Sequence, residues 1–221
     1  NSAFYSYLFP VVFLPTALIL LLKIRAALRF EEKPSAGLWV LLAAVIVLGS
    51  WLRFQHAPQR FKVFYDGYET YNISRMIAGG GGFAVCTGGT LENCETPQTP
   101  QDPLGFPWLA AAAMKRTGNT APGAVFALNS VLGVLGVAVV FLLVAAASGN
   151  MRAALLSAFV AACFPLHIIL SGNASAQVAE FLLLGVSFLF FVLYLRDRDA
   201  ISGIGLFFAL AAAVLVSPGH T

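Results

Sequence analysis

The sequence predicts an all-α polytopic membrane protein of about six transmembrane helices, with interfacial helices in a long first extracytoplasmic loop. Three observations carry that prediction. The 221 residues are 59% hydrophobic and only 10% charged, with a mean hydropathy of +0.82, whereas a soluble domain is about a quarter charged. The apolar residues fall into runs of spanning length between short polar turns. Basic residues gather in particular turns, which the positive-inside rule assigns to the cytoplasm. The net charge of +3 is too small and too dispersed for a nucleic-acid partner.

Tyr5–Leu22 is the first expected span, with Pro10 and Pro15 set to kink it or delay its start. Lys23–Lys33 sets Lys23, Arg25, Arg29 and Lys33 against Glu31 and Glu32. It is the densest short basic stretch and is expected in the cytoplasm. Residues 1–34 thus form an N-terminal helix and basic turn, and residues 35–221 the main transmembrane domain. Leu38–Phe54 runs outward between Trp39 and Trp51, two interfacial anchors.

The extracytoplasmic loop covers residues 55–122. At its start, Asp66 and Glu69 lie three residues apart, on one face of a helix. Phe61, Phe64, Tyr65, Tyr68 and Tyr71 surround them, and the Gly79–Gly82 run ends the helix. A carboxylate pair just outside a span is where a membrane enzyme places an acid or base; the alternative is a solvated interfacial helix. Cys86 and Cys94 share this loop and are expected to form a disulfide if it is extracytoplasmic. Thr96–Pro103 reads as irregular. Pro103–Met114 is apolar but too short to span, so it is expected at the interface, anchored by Trp108 and ended by Lys115 and Arg116.

Gly123–Ala147 runs inward, and Ala145–Arg152 is a tight turn. Ala153–Leu170 returns outward with Pro165 near its outer end, and Ser171–Gln177 is a short outer loop. Val178–Leu195 runs inward to the basic turn Arg196–Asp199, and Ile201–Val216 runs outward. Gly133, Gly136, Ala145–Ala147, Ala158, Ala161 and Ala162 allow close approach of helix backbones. Apart from Glu180, the spans read as nearly free of ionisable groups, which argues against a transporter. The three histidines, His56, His167 and His220, are scattered, and no metal-type cluster of Cys and His appears. His167 is expected to be a hydrogen-bonded residue at a helix end, and Cys163 an inert packing residue. The chain begins at Asn1 and stops just after an apolar run, so a portion of a longer polypeptide is expected.

The order of these elements resembles the GT-C fold glycosyltransferases, above all the bacterial lipid A aminoarabinose transferases and the protein O-mannosyltransferase-like enzymes. Tyr65-Asp66-Gly67-Tyr68-Glu69 is similar to the acidic element that opens the family's first outer loop. Gln101-Asp102-Pro103-Leu104-Gly105-Phe106-Pro107-Trp108 resembles its Pro-Pro-Leu-type element, and Phe126–Gly133 the start of its next span. Phe164-Pro165-Leu166-His167 with Ser171-Gly172 resembles its Pro-x-His element. The likeness covers Leu38 to the end of the chain and rests on order and spacing more than on any one motif. The chain departs from the pattern in four places. Its acidic pair is spread as Asp-x-x-Glu, and Asp102 replaces a proline. Gln177 stands where an acid is usual, with Glu180 one turn on, and Ser217–His220 closes the chain without the usual Lys or Arg.

The resemblance implies transfer of a sugar from a polyprenyl-phosphate donor to an acceptor on the extracytoplasmic face, with inversion, in the bacterial inner (plasma) membrane. Asp66 is the implied base and Glu69 the second candidate. Arg60, Lys62, Tyr65, Arg75, Asp102, Lys115 and Arg116 are the candidate residues for binding the donor phosphate, headgroup or acceptor. No cofactor is certain, and a divalent metal stays open. Membrane lipid and other membrane-protein subunits are the further partners. The rival reading is a non-catalytic GT-C-like structural subunit of a membrane assembly.

Overall fold

The computed structural model describes residues 2–30, 34–56, 65–82, 84–86, 88, 95–98 and 105–216. Nine α-helices carry the described chain: α1 Ser2–Ala27, α2 Ala36–Trp51, α3 Tyr65–Ala78, α4 Gly105–Thr117, α5 Pro122–Ser148, α6 Met151–Cys163, α7 Pro165–Ser171, α8 Gln177–Asp197 and α9 Ala200–Val216. A short π-helical segment, Leu52–His56, continues α2. The two-residue strands β1 (Val85–Cys86) and β2 (Pro97–Gln98) pair antiparallel in the loop, Val85 opposite Gln98.

Four helices are long and apolar enough to cross a bilayer: Pro10–Ala27 within α1, Ala36–Gln55, α5 and α8. The pair α6 and α7, bent by 58° at its break, makes a fifth if taken as one span. The chain is therefore an all-α integral membrane protein with four to five candidate spans. α9 is apolar but has only 17 residues, about 25 Å. The first helix runs further than expected, through Lys23 and Arg25 to Ala27, and carries Pro10 and Pro15 inside it. In that stretch the Thr16 hydroxyl donates to Val12 O at 2.8 Å.

Side by side, the apolar helices of the bundle run α1, α9, α8, α5, α6, α2. Close approach sets this order: a Cβ on Gly205 of α9 would stand 2.9 Å from Phe190 of α8 and 3.0 Å from Ile19 of α1. Of the small residues expected at helix contacts, Gly133, Gly136, Ala145, Ala146, Ala158 and Ala162 are buried, whereas Ala161 is half-buried and Ala147 is exposed. Large apolar side chains such as Leu18, Val40, Phe188 and Val214 face outward, where lipid rather than water is their solvent.

The two ends of the bundle differ in character. At one end, Lys23 Nζ donates to Asp199 Oδ1 at 2.6 Å, and Arg196 donates to Ala26 O at 2.6 Å and Ala146 O at 3.3 Å. Arg29 also lies 3.5 Å from Asp197. The three basic stretches expected in the cytoplasm are thus gathered at this end. The turn between α5 and α6 is tight because Gly149 takes φ 64° and Asn150 caps α6, accepting from the Arg152 and Ala153 N–H groups. At the other end, α3 packs on α4, and α4 packs on α5 and α9. α4 is more than an interfacial helix, since Phe106, Ala110 and Met114, one turn apart, are fully buried beneath it.

Candidate functional site

α3 supplies the acidic helix. Its end is built by the glycine run: Gly80 takes φ 83°, its N–H donates to Ile77 O at 3.2 Å, and Gly81 N–H donates to Met76 O at 2.9 Å. That pair of bonds closes a helix only with a left-handed residue between them, which glycine adopts without strain. Tyr71, Asn72, Ile73 and Ser74 are buried, and the Tyr71 hydroxyl donates to Thr120 O at 2.9 Å, tying α3 to the start of α5. Asp66 and Tyr65 lie in the first turn of α3, followed by Glu69, which is half-buried. Arg75 is half-buried in the last turn of α3, while Lys115 and Arg116 are exposed in the last turn of α4. The fold therefore brings Asp66, Glu69, Arg75, Lys115 and Arg116 to one end of the bundle on two packed helices. Arg60, Lys62 and Asp102 lie outside the described residues. Cys86 is disulfide-bonded and Cys163 is free; Cys94, the expected partner, lies outside the described residues.

Beneath α3 runs a buried polar seam. Gly67 packs on the turn after α7, where a Cβ would stand 3.8 Å from Ala174 N. That turn is held from α5: Asn129 Nδ2 donates to Ser175 O at 2.9 Å and to Asn173 O, and Asn173 Nδ2 donates to Ile169 O at 3.0 Å. Ser130 Oγ lies 3.3 Å from both Ser171 O and Arg53 O, and Ser171 Oγ donates to His167 O at 2.7 Å.

Arg53 is the centre of this seam and corrects the reading of the spans as nearly free of ionisable groups. It is fully buried, within the candidate span Ala36–Gln55. Its Nη1 donates to Gly49 O at 2.9 Å and Ala162 O at 3.1 Å. Its Nη2 donates to Ala161 O at 3.1 Å and to His167 Nδ1 at 2.8 Å. A guanidinium only donates, so Nδ1 accepts and the imidazole proton sits on Nε2. The π-helical segment at Leu52–His56 widens the helix where Arg53 turns inward. Gly133 leaves the room: a Cβ there would stand 2.9 Å from Arg53 Nε and press on Ser171 Oγ. Five buried polar atoms have no hydrogen-bond partner among the described residues: Arg53 Nε, His167 Nε2, and the amide oxygens of Asn72, Asn129 and Asn173.

His167 is thus hydrogen-bonded in a short helix, as expected, but its partner is a cation that sequence reasoning passed over. Arg53 is the next-to-last residue of the expected span Leu38–Phe54. The signal that could have found it is depth: a basic residue near the outer end of one span and a proline break near the outer end of another. Among the described residues, no group of three or more His, Cys, Asp and Glu side chains could hold a metal ion.

These features define an integral membrane protein with a polar seam inside its bundle and an acidic helix over one end. Compared with protein-family models, curated proteins and solved structures, the chain matches none.

Proposed function

We propose that the chain is the transmembrane part of a GT-C-type glycosyltransferase of the bacterial inner membrane. It transfers a sugar from a polyprenyl-phosphate donor to an acceptor on the extracytoplasmic face. In this reading α6 and α7 form one bent crossing and α9 the sixth. The observation that supports it is the position of α3: Asp66 and Glu69 are on a helix whose Gly67 packs on the Ala174 turn, at the end of the bundle away from the basic turns. A base there meets an acceptor from the outer aqueous phase and a donor whose phosphate lies at the outer interface.

The chemistry asked of the residues is limited. Asp66 takes the proton of the acceptor hydroxyl or amine as that atom attacks the anomeric carbon from the face opposite the phosphate. The bond from the anomeric carbon to the phosphate oxygen breaks, and the polyprenyl phosphate leaves with the bonding pair. In this reading Arg75, Lys115 and Arg116, the cations of α3 and α4, balance its growing charge, with Arg60 and Lys62 the further candidates.

Transfer of labelled sugar from polyprenyl-phosphate donors by the purified protein, reconstituted in vesicles, tests the proposal. Turnover with at least one donor, lost in Asp66→Asn, supports it. No turnover with a panel of donors, while the protein remains folded, favours a structural subunit instead.

A further inference from the structure

A groove of about 580 Å³ opens on the outside of the bundle where α6 breaks into α7, backed by α5 and flanked by α8. Leu156, Val160, Phe164 and Phe181 are among its walls, and His167 and Gln177 bring polar groups to it. The stretch of α6 from Leu156 to Cys163 rises about 10 Å, so the groove runs from inside the apolar band toward the Gln177 end of α8. It is apolar below and polar at its upper end, as a lipid chain is.

Two features narrow the occupant. First, among the described residues no charged side chain lines the groove, and Arg53 behind it is fully buried, so no described group there matches a phosphate. Second, Arg53 fixes the His167 proton on Nε2, and that N–H has no acceptor among the described residues. A buried donor without an acceptor is costly, and an uncharged oxygen removes the cost. Phe181 covers the ring edge-to-face, 4.7 Å between centroids, and is itself a wall of the groove. Nε2 is itself buried, so an oxygen in the groove reaches it only when a side chain of this wall moves.

We propose that the groove is a binding site for one acyl chain of a bilayer glycerophospholipid, whose ester carbonyl accepts from His167 Nε2–H. The tail lies along Val160 toward Leu156, and the headgroup emerges beside Gln177. This site is independent of any sugar transfer.

The test uses the whole protein in phosphatidylethanolamine/phosphatidylglycerol vesicles carrying a trace of phosphatidylglycerol with a diazirine in one acyl chain. The probe is ester-linked in one arm and ether-linked in the other. After illumination, labelling of the segment from Leu156 to Phe164 is expected to exceed that around Val214, an outward-facing residue of α9. The ether probe, which lacks the carbonyl, is expected to label the groove about two- to tenfold less, the worth of one hydrogen bond. Val160→Trp, at a position half exposed in the wall, should abolish groove labelling and leave that on α9 unchanged. Equal labelling of groove and α9, equal labelling by both probes, or indifference to Val160→Trp overturns the proposal. So does displacement of the probe by polyprenyl phosphate but not by unlabelled ester phospholipid.

Discussion

Arg53 supplies the hydrogen bonds that Pro165 cannot. A helix passing through residue 165 would satisfy Ala161 O with the N–H of residue 165, and proline has none. The 58° bend at Phe164 also takes Ala162 O out of its helix. Arg53 donates to both carbonyls, at 3.1 Å each. In a bilayer, where no water can serve those oxygens, this is the condition for breaking a span at that depth. The buried cation and the broken helix are therefore one structural device, and each is costly without the other.

That coupling is measurable. Arg53→Leu strands two carbonyls and His167, and is expected to cost on the order of 2–5 kcal/mol. Pro165→Ala restores a donor to Ala161 O, so the double substitution should recover about 1 kcal/mol or more of that loss. Thermal unfolding in detergent, followed by reaction of a thiol dye with the half-buried Cys163, reads both effects. Strict additivity of the two changes contradicts the coupling.

Gly133 is the neighbour that makes room for the guanidinium. Gly133→Ala puts a Cβ 2.9 Å from Arg53 Nε, and overpacking of this kind costs about 1–3 kcal/mol. Gly203→Ala is the control, since its Cβ would stand 3.5 Å from the Tyr194 ring, an ordinary contact. The expected outcome is a lowered melting temperature for the first and little change for the second.

Much of the fold was legible because hydropathy and backbone chemistry are local. Runs of apolar residues located the long spans and the Gly79–Gly82 run marked the end of α3, whereas Ala153–Leu170, expected as one continuous span, is broken at Pro165 into α6 and α7. Sequence patterns were less informative where a residue's role depends on distant partners. Nothing local marks Arg53, because the carbonyls it serves lie more than a hundred positions away. Lys23 looked like part of a loop because the helix is extended to Ala27 by packing on α9 and α8, where Asp199 and Arg196 clasp its last turns. For the candidate site, spacing alone put Asp66 and Glu69 on one helix, but only the packing of α3 put that helix over the polar seam.

The clasp at the basic end carries a pH dependence. Desolvation works to raise the Asp199 carboxyl, but bonds from Lys23 Nζ, the Ser202 hydroxyl and the Ser202 N–H outweigh it and hold the pKa at about 2, below the ordinary aspartate value of 3.8. A carboxyl whose pKa is depressed by folding contributes stability above its unfolded value and loses it as pH falls through the folded one. The contribution should therefore be full above about pH 4 and fade toward pH 2. Asp199→Asn keeps the cap on α9 but loses the charge, and is expected to cost about 1–2 kcal/mol near neutral pH. Its stability curve should be flatter than the wild type's between about pH 4 and 2, and parallel curves would rule out this role.

Topology can be read at the two ends of α5, whose 27 residues span about 40 Å. In a Cys163→Ser background, Asn119→Cys and Ser148→Cys should react with an impermeant thiol reagent from opposite sides of the membrane. Ser148 belongs to the basic end and is expected on the cytoplasmic side. Labelling of both from one side would overturn the spanning of α5 and, with it, the assignment of α3 to the outer face.

The sharpest prediction concerns Asp66. An amide is nearly isosteric with a carboxylate, so Asp66→Asn should leave the fold and donor retention intact. The amide cannot take the acceptor's proton, and loss of a general base costs about 10²–10⁴-fold in rate. Glu69→Gln should cost less, because Glu69 lies one turn further along α3 from the end at which Gly67 meets the Ala174 turn. Wild-type turnover in Asp66→Asn removes Asp66 as base, and a larger loss in Glu69→Gln transfers that role to Glu69.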